Sequence, residues 1–222
     1  MRWALVLFCL SLAAQEKEAA LGKQMAEGLL QSTTRIESPA VNDYMAQLGT
    51  RLAADVYSFS VVTADGPLHE PAVLPGNYVF IPVNLLLAAK DEAEFAGVLA
   101  QALARGPIRF ESHASTIPLV FYDGFGDSNL LPTAVREHRR QLELQADLAA
   151  VPLLSRAGFD PGGLLRYLER MQPTDDQRIT ALQAAVRDLP APACTDSEAF
   201  YRAHEQVRPA PPSPRKPPSL YR

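Results

Sequence analysis

Val41, Tyr44, Met45, Leu48 and Leu52 recur at intervals of three, four and seven residues, which places all five on one face of a helix. Ser38-Pro39 stands directly before them, an N-cap residue followed by proline at the first helical position. A stripe of this kind needs a core to pack against, and 222 residues with 47% hydrophobic and 21% charged side chains can supply one domain with tails. A formal net charge of −4 and the lack of a basic stripe give no footprint for a nucleic-acid partner. After the first dozen residues no apolar run is long enough to span a bilayer as a helix, so no transmembrane span is expected.

The N-terminus is of a different composition. Arg2 supplies a positive start, Ala4 to Leu12 is apolar, and Ser11-Leu12-Ala13-Ala14 offers small residues for cleavage. This layout predicts a signal peptide over residues 1–14 and export to the periplasm or beyond. The alternative is a frayed apolar helix. Bulky Phe8 before Cys9 argues against a lipid anchor there. Cleavage would leave Cys194 as the sole cysteine, so no internal disulfide can form and the core must hold the fold.

Further helices are expected over Gln15–Gln31, Asp91–Arg105, about Thr133–Ala157, Pro161–Met171 and Thr174–Arg187. Between them, Ser58–Thr63 and Tyr78–Pro82 have strand composition, separated by the turn residues Leu74-Pro75-Gly76-Asn77. Pro82 suits an edge strand or a strand end. Gly106 to Pro132 reads as irregular. Six of the sixteen residues from Val207 onward are proline, which predicts an extended, disordered end. The expected organisation is a leader over 1–14, a domain over 15–190 and a tail over 191–222, in an α+β, mainly helical fold with a small sheet.

The helix Asp91–Arg105, preceded by Leu74-Pro75-Gly76, carries a family resemblance. It is followed by Glu143-Leu144-Gln145-Ala146-Asp147, by Ser155-Arg156-Ala157-Gly158-Phe159-Asp160-Pro161, and by Gln172-Pro173 with Arg178-Ile179. In this order the motifs resemble the HtpX-like and BepA-like metallopeptidases, the family that includes the CAAX prenyl proteases. The resemblance runs from about Gln15 to Arg187 and implies zincin-type helices beside a small sheet. In that family an H-E-x-x-H helix and a glutamate on a second helix hold Zn²⁺, and the glutamate beside the first histidine activates the metal-bound water.

Aligned on that pattern, Gln101 stands at the first histidine, Ala102 at the catalytic glutamate and Arg105 at the second histidine. Only Glu143 remains at a ligand position, with Asp147 one turn later on the same face. An amide is a poor zinc ligand, alanine accepts no proton, and a guanidinium is a fixed cation that repels the metal. No catalytic residue and no resident cofactor are therefore expected. Zinc returns only under the alternative of an active endopeptidase with non-standard ligands. The four histidines (His69, His113, His138 and His204) include no pair spaced three or four apart, and Cys194 has no visible activating partner.

A carboxylate left at the Glu143 position requires compensation. Arg105 is expected to pair with Glu143 or Asp147; the alternative is that it ends its helix and points to water. The resemblance further implies that an extended substrate lies along an edge strand, for which Tyr78, Val79, Phe80 and Ile81 are the candidates. The functional expectation is a peptidase-like, inactive exported protein. It would bind extended or unfolded envelope proteins, or regulate an active relative. The alternatives are the unorthodox zinc enzyme and an assembly protein with an empty cleft.

Overall fold

Ser38 and Pro39 do start a helix, α2 (Pro39–Ala53), and the Ser38 hydroxyl accepts from the Val41 amide at 3.5 Å. Val41, Tyr44, Met45, Leu48 and Leu52 are all buried along one side of it. The structure, a computed structural model, describes residues 17, 19–54, 56–66, 68–106, 133–171, 176–190 and 196–208. The expected leader, Cys9, His113, Gln172, Cys194, the stretch 107–132 and the proline-rich end beyond 208 lie outside the described residues. Among those described, no helix is long and apolar enough to cross a membrane.

The fold is mainly helical with a small sheet, the α+β class expected. Residues 19–32 form helix α1. Strands β1 (Ser58–Val62), β2 (Ala72–Leu74) and β3 (Tyr78–Pro82) make the sheet, in the order β1-β3-β2. Strand β3 runs parallel to β1, with Ser58 opposite Tyr78 and Val62 opposite Pro82, and antiparallel to β2. The turn Pro75–Asn77 joins β2 to β3, and Gly76 and Asn77 both take positive φ there, at 73° and 64°.

This order corrects one expectation. Tyr78, Val79, Phe80 and Ile81 are not an edge: their strand is central and pairs on both sides. Their side chains are committed as well. Val79 and Ile81 enter the main helical core, whereas Phe80 and Tyr78 pack with Ala26, Met25 and Leu29 under α1. Pro82 marks a strand end, the other position it suits.

Two short elements were not anticipated, β2 and helix α3 (Val83–Ala88). Then follow α4 (Glu92–Arg105), α5 (Thr133–Arg156), α6 (Gly163–Met171), α7 (Asp176–Val186) and α8 (Glu198–Val207). Helix α4 is buried almost all round and packs against α5, α6 and β2. Its approach to α6 is backbone on backbone: a Cβ at Gly163 would lie 2.2 Å from the Ala93 carbonyl oxygen. Helix α8 falls inside the segment read as tail, yet Phe200 and Ala203 are buried in the main core, and Phe200 stacks edge-on against Tyr44 at 5.7 Å. Phe200→Ala should therefore cost about 3–5 kcal/mol, as for other buried aromatics. Urea unfolding followed by circular dichroism measures this; an unchanged midpoint would mean that α8 is dispensable to the core.

Candidate functional site

Gln101 and Arg105 sit one helical turn apart on α4 and converge on a single carboxylate. Gln101 Nε2 donates to Glu143 Oε2 at 2.6 Å, and Arg105 Nη1 donates to Glu143 Oε1 at 2.7 Å. Both oxygens of Glu143 are thus engaged from α4. Of the outcomes considered for Arg105, the Glu143 pair is the one that forms. The Arg105 side chain is 20% exposed and that of Glu143 15%, so the pair is shielded but not sealed.

One turn along α5, Asp147 is fully buried and is taken by a different cation. Arg178 of α7 grips it in a fork, Nε to Oδ2 at 2.5 Å and Nη2 to Oδ1 at 2.7 Å. Planar two-point pairing of this kind is the strong form of the arginine–carboxylate contact. Arg178 Nη2 also lies 3.8 Å from Glu143 Oε2, so the α4–α5 seam alternates Arg105, Glu143, Arg178, Asp147 in sign. Arg105 reaches outward too, with Nη1 3.5 Å from Glu70 Oε2 and Nη2 donating to the Pro71 carbonyl at 3.2 Å.

These residues do not fit zinc. Of the two seam carboxylates, Glu143 is already doubly hydrogen-bonded by an amide and a cation and Asp147 is held by the Arg178 fork, where a zinc site needs three protein ligands. Ala102 is fully buried and has no proton to take or give. Among the described residues no group of three or more His, Cys, Asp or Glu side chains is placed to hold a metal. His69 and His138 are exposed, and His204 packs beside the Phe200 ring at 5.9 Å.

The N-terminal end of α4 is fastened by a second set of charges. Asp91 caps the helix, accepting from the Glu94 amide at 2.8 Å, and pairs with Arg166 at 3.1 Å. Glu94 is paired with Arg170 and accepts from the Lys90 amide at 2.9 Å. Buried Glu92 accepts from the Ser197 amide at 2.8 Å and the Ser197 hydroxyl at 3.0 Å, which fixes the start of α8. Burial opposes the charge on Arg166, but its hydrogen bond to Asp160 and the charges of Asp91 and Asp160 outweigh this and raise its pKa. Burial likewise pushes the Tyr167 phenol up, keeping it neutral.

Arg178 and Glu70 were not foreseen as members of the site. Arg178 was visible only as part of a motif, 31 residues from Asp147, and no local pattern ties it to that carboxylate. Glu70 lies in a connection with no periodicity to read.

No family model matches the chain. A protein of Vibrio cholerae named "Putative beta-barrel assembly-enhancing protease" is 25% identical over 209 residues. The similarity covers 79% of this chain, but the chain spans only 42% of that relative's length. It supports the BepA-like resemblance of the motifs at the level of a distant relationship.

Arg178→Ala would leave a buried carboxylate without its principal cation, which should cost about 3–5 kcal/mol. Chemical denaturation of the variant tests this. A loss below about 1 kcal/mol, the range of exposed pairs, would show that Asp147 is compensated elsewhere.

Proposed function

We propose that this chain is an exported, peptidase-like protein that carries out no zinc-dependent hydrolysis and serves as a binding or assembly module for other proteins of the cell envelope. One observation carries the reading: Arg105 and Gln101 occupy both oxygens of Glu143 and place a fixed positive charge at the seam. Among the described residues no group of metal-binding side chains forms, and buried Ala102 beside Gln101 has no proton acceptor. The resemblance and the name of the Vibrio cholerae relative support the class of partner, envelope polypeptides in extended or incompletely folded form. Export follows from the leader read over residues 1–14. Central strand β3 offers no backbone edge to such a partner, so Tyr78 to Ile81 have no part in the proposal.

The convergence of positions 101, 105 and 143 makes the reading testable by restoration. The wild-type chain, purified and dialysed against free zinc, should retain well under one metal per molecule. Gln101→His with Arg105→His would place two imidazoles one turn apart opposite Glu143 and should bind about one Zn²⁺ per chain. Metal analysis and calorimetry read both results. A wild-type chain that holds one zinc per molecule overturns the proposal.

A further inference from the structure

We propose that the proline-rich stretch from Arg208 to Pro218 is a polyproline II ligand that docks in an aromatic-lined groove with an acidic rim on a partner protein. The proposal goes beyond the reading of the seam and does not rest on it.

The case begins where α8 ends. Phe200 and Ala203 are buried in the main core, Val207 packs against it, and Glu92 accepts from the Ser197 amide and hydroxyl. The stretch therefore starts from a fixed point on the domain. Arg208, the last described residue, leaves the helix at φ −62° and ψ 129°, inside the polyproline II region. Pro209 imposes this choice, because a proline disfavours the helical region for the residue before it. The same constraint recurs down the sequence. Between Arg208 and Pro218, every residue except Arg215 either is proline or directly precedes one. Each proline holds its own φ at about −65°. Little backbone freedom is then left to lose on binding, which is what makes such a segment an efficient ligand.

Spacing then gives the segment a side. On a helix of three residues per turn, Arg208, Pro211, Pro214 and Pro217 share one ridge, and Pro209, Pro212, Arg215 and Pro218 the next. Ala210, Ser213 and Lys216 make up the third. All six prolines thus fall on two ridges, which suit an aromatic groove, while the small and polar third suits water. Charge specifies the rim. No acidic residue follows Glu205, and Pro211 and Pro214 have Arg208 on one side and Arg215 and Lys216 on the other. The pair of Arg208 with Glu205 joins side chains 60% and 64% exposed, so it is weak and exchanges readily for a partner's carboxylate. The cations are spread over all three ridges with no bulky apolar residue among them, which favours a groove over a membrane surface.

The probe is a purified SH3 domain, whose aromatic groove with an acidic rim has the chemistry proposed, titrated into the full chain by calorimetry. Wild type should bind it saturably. Pro211→Ala/Pro214→Ala, on the apolar ridge, should weaken binding about tenfold or more, whereas Ala210→Ser/Ser213→Ala, on the polar ridge, should leave it within about twofold. No saturable binding overturns the proposal, and so does an equal loss in both variants, which would mean that the segment has no side. Vesicles of anionic phospholipid supply the competing surface. Binding to vesicles but not to the groove, alike in wild type and the Pro211/Pro214 variant, makes the stretch a membrane contact and overturns the proposal. Hydrogen exchange over residues 19–207 should be the same in wild type and that variant. Faster exchange in the variant would place the stretch on its own domain and overturn an external partner.

Discussion

Two carboxylates one turn apart on α5, Glu143 and Asp147, set the terms for the rest of the molecule. Carboxylates taken this far out of water cost several kcal/mol each unless a cation and hydrogen bonds compensate them. In this chain the compensation comes from two directions. Arg105 arrives from the end of α4 with Gln101, and Arg178 arrives from α7 with both donors of its fork. Three helices and the approach to β2 are thereby drawn to one seam. The seam is a polar joint inside an apolar body in which arginines and carboxylates alternate.

Helix α4 is the element through which this joint communicates with the remainder of the fold. Its middle is held by close packing, where the absence of a side chain at Gly163 and Gly97 lets the backbone of α6 approach. Its ends are held by charge: Arg105 at one, and Asp91, Glu92 and Glu94 at the other. Acidic residues at a helix start and a basic residue at its end also agree with the helix dipole. A central helix fixed at both ends by paired charges is a rigid support, and what it presents at the seam is the Arg105–Glu143 ion pair.

Parts of this were legible in the chain. Arg105 could be matched to Glu143 because the resemblance implies ligand positions of one site for both, and opposite charge did the rest. The pairing of Arg178 with Asp147 could not, since a contact between distant segments leaves no periodicity in either. The central place of β3 was hidden by β2: three residues running into a Pro-Gly turn carry too little strand composition to be noticed, yet they fill the side that would otherwise be an edge. Helix α8 had its signal in plain view, with Phe200, Ala203, His204 and Val207 at helical spacing. The proline-rich stretch beyond it drew the boundary too early.

What the sequence alone determined is whatever depends on neighbours along the chain: the helices, their caps, the turn at Gly76, the α+β class, and the absence of a paired-histidine metal motif. Those follow from backbone preference and side-chain spacing, which act within a few residues. Which strand is central, which cation answers which carboxylate, and whether α8 belongs to the core were decided only by the tertiary structure. These outcomes rest on burial and on the cost of unpaired charge, and neither exists until distant segments have met.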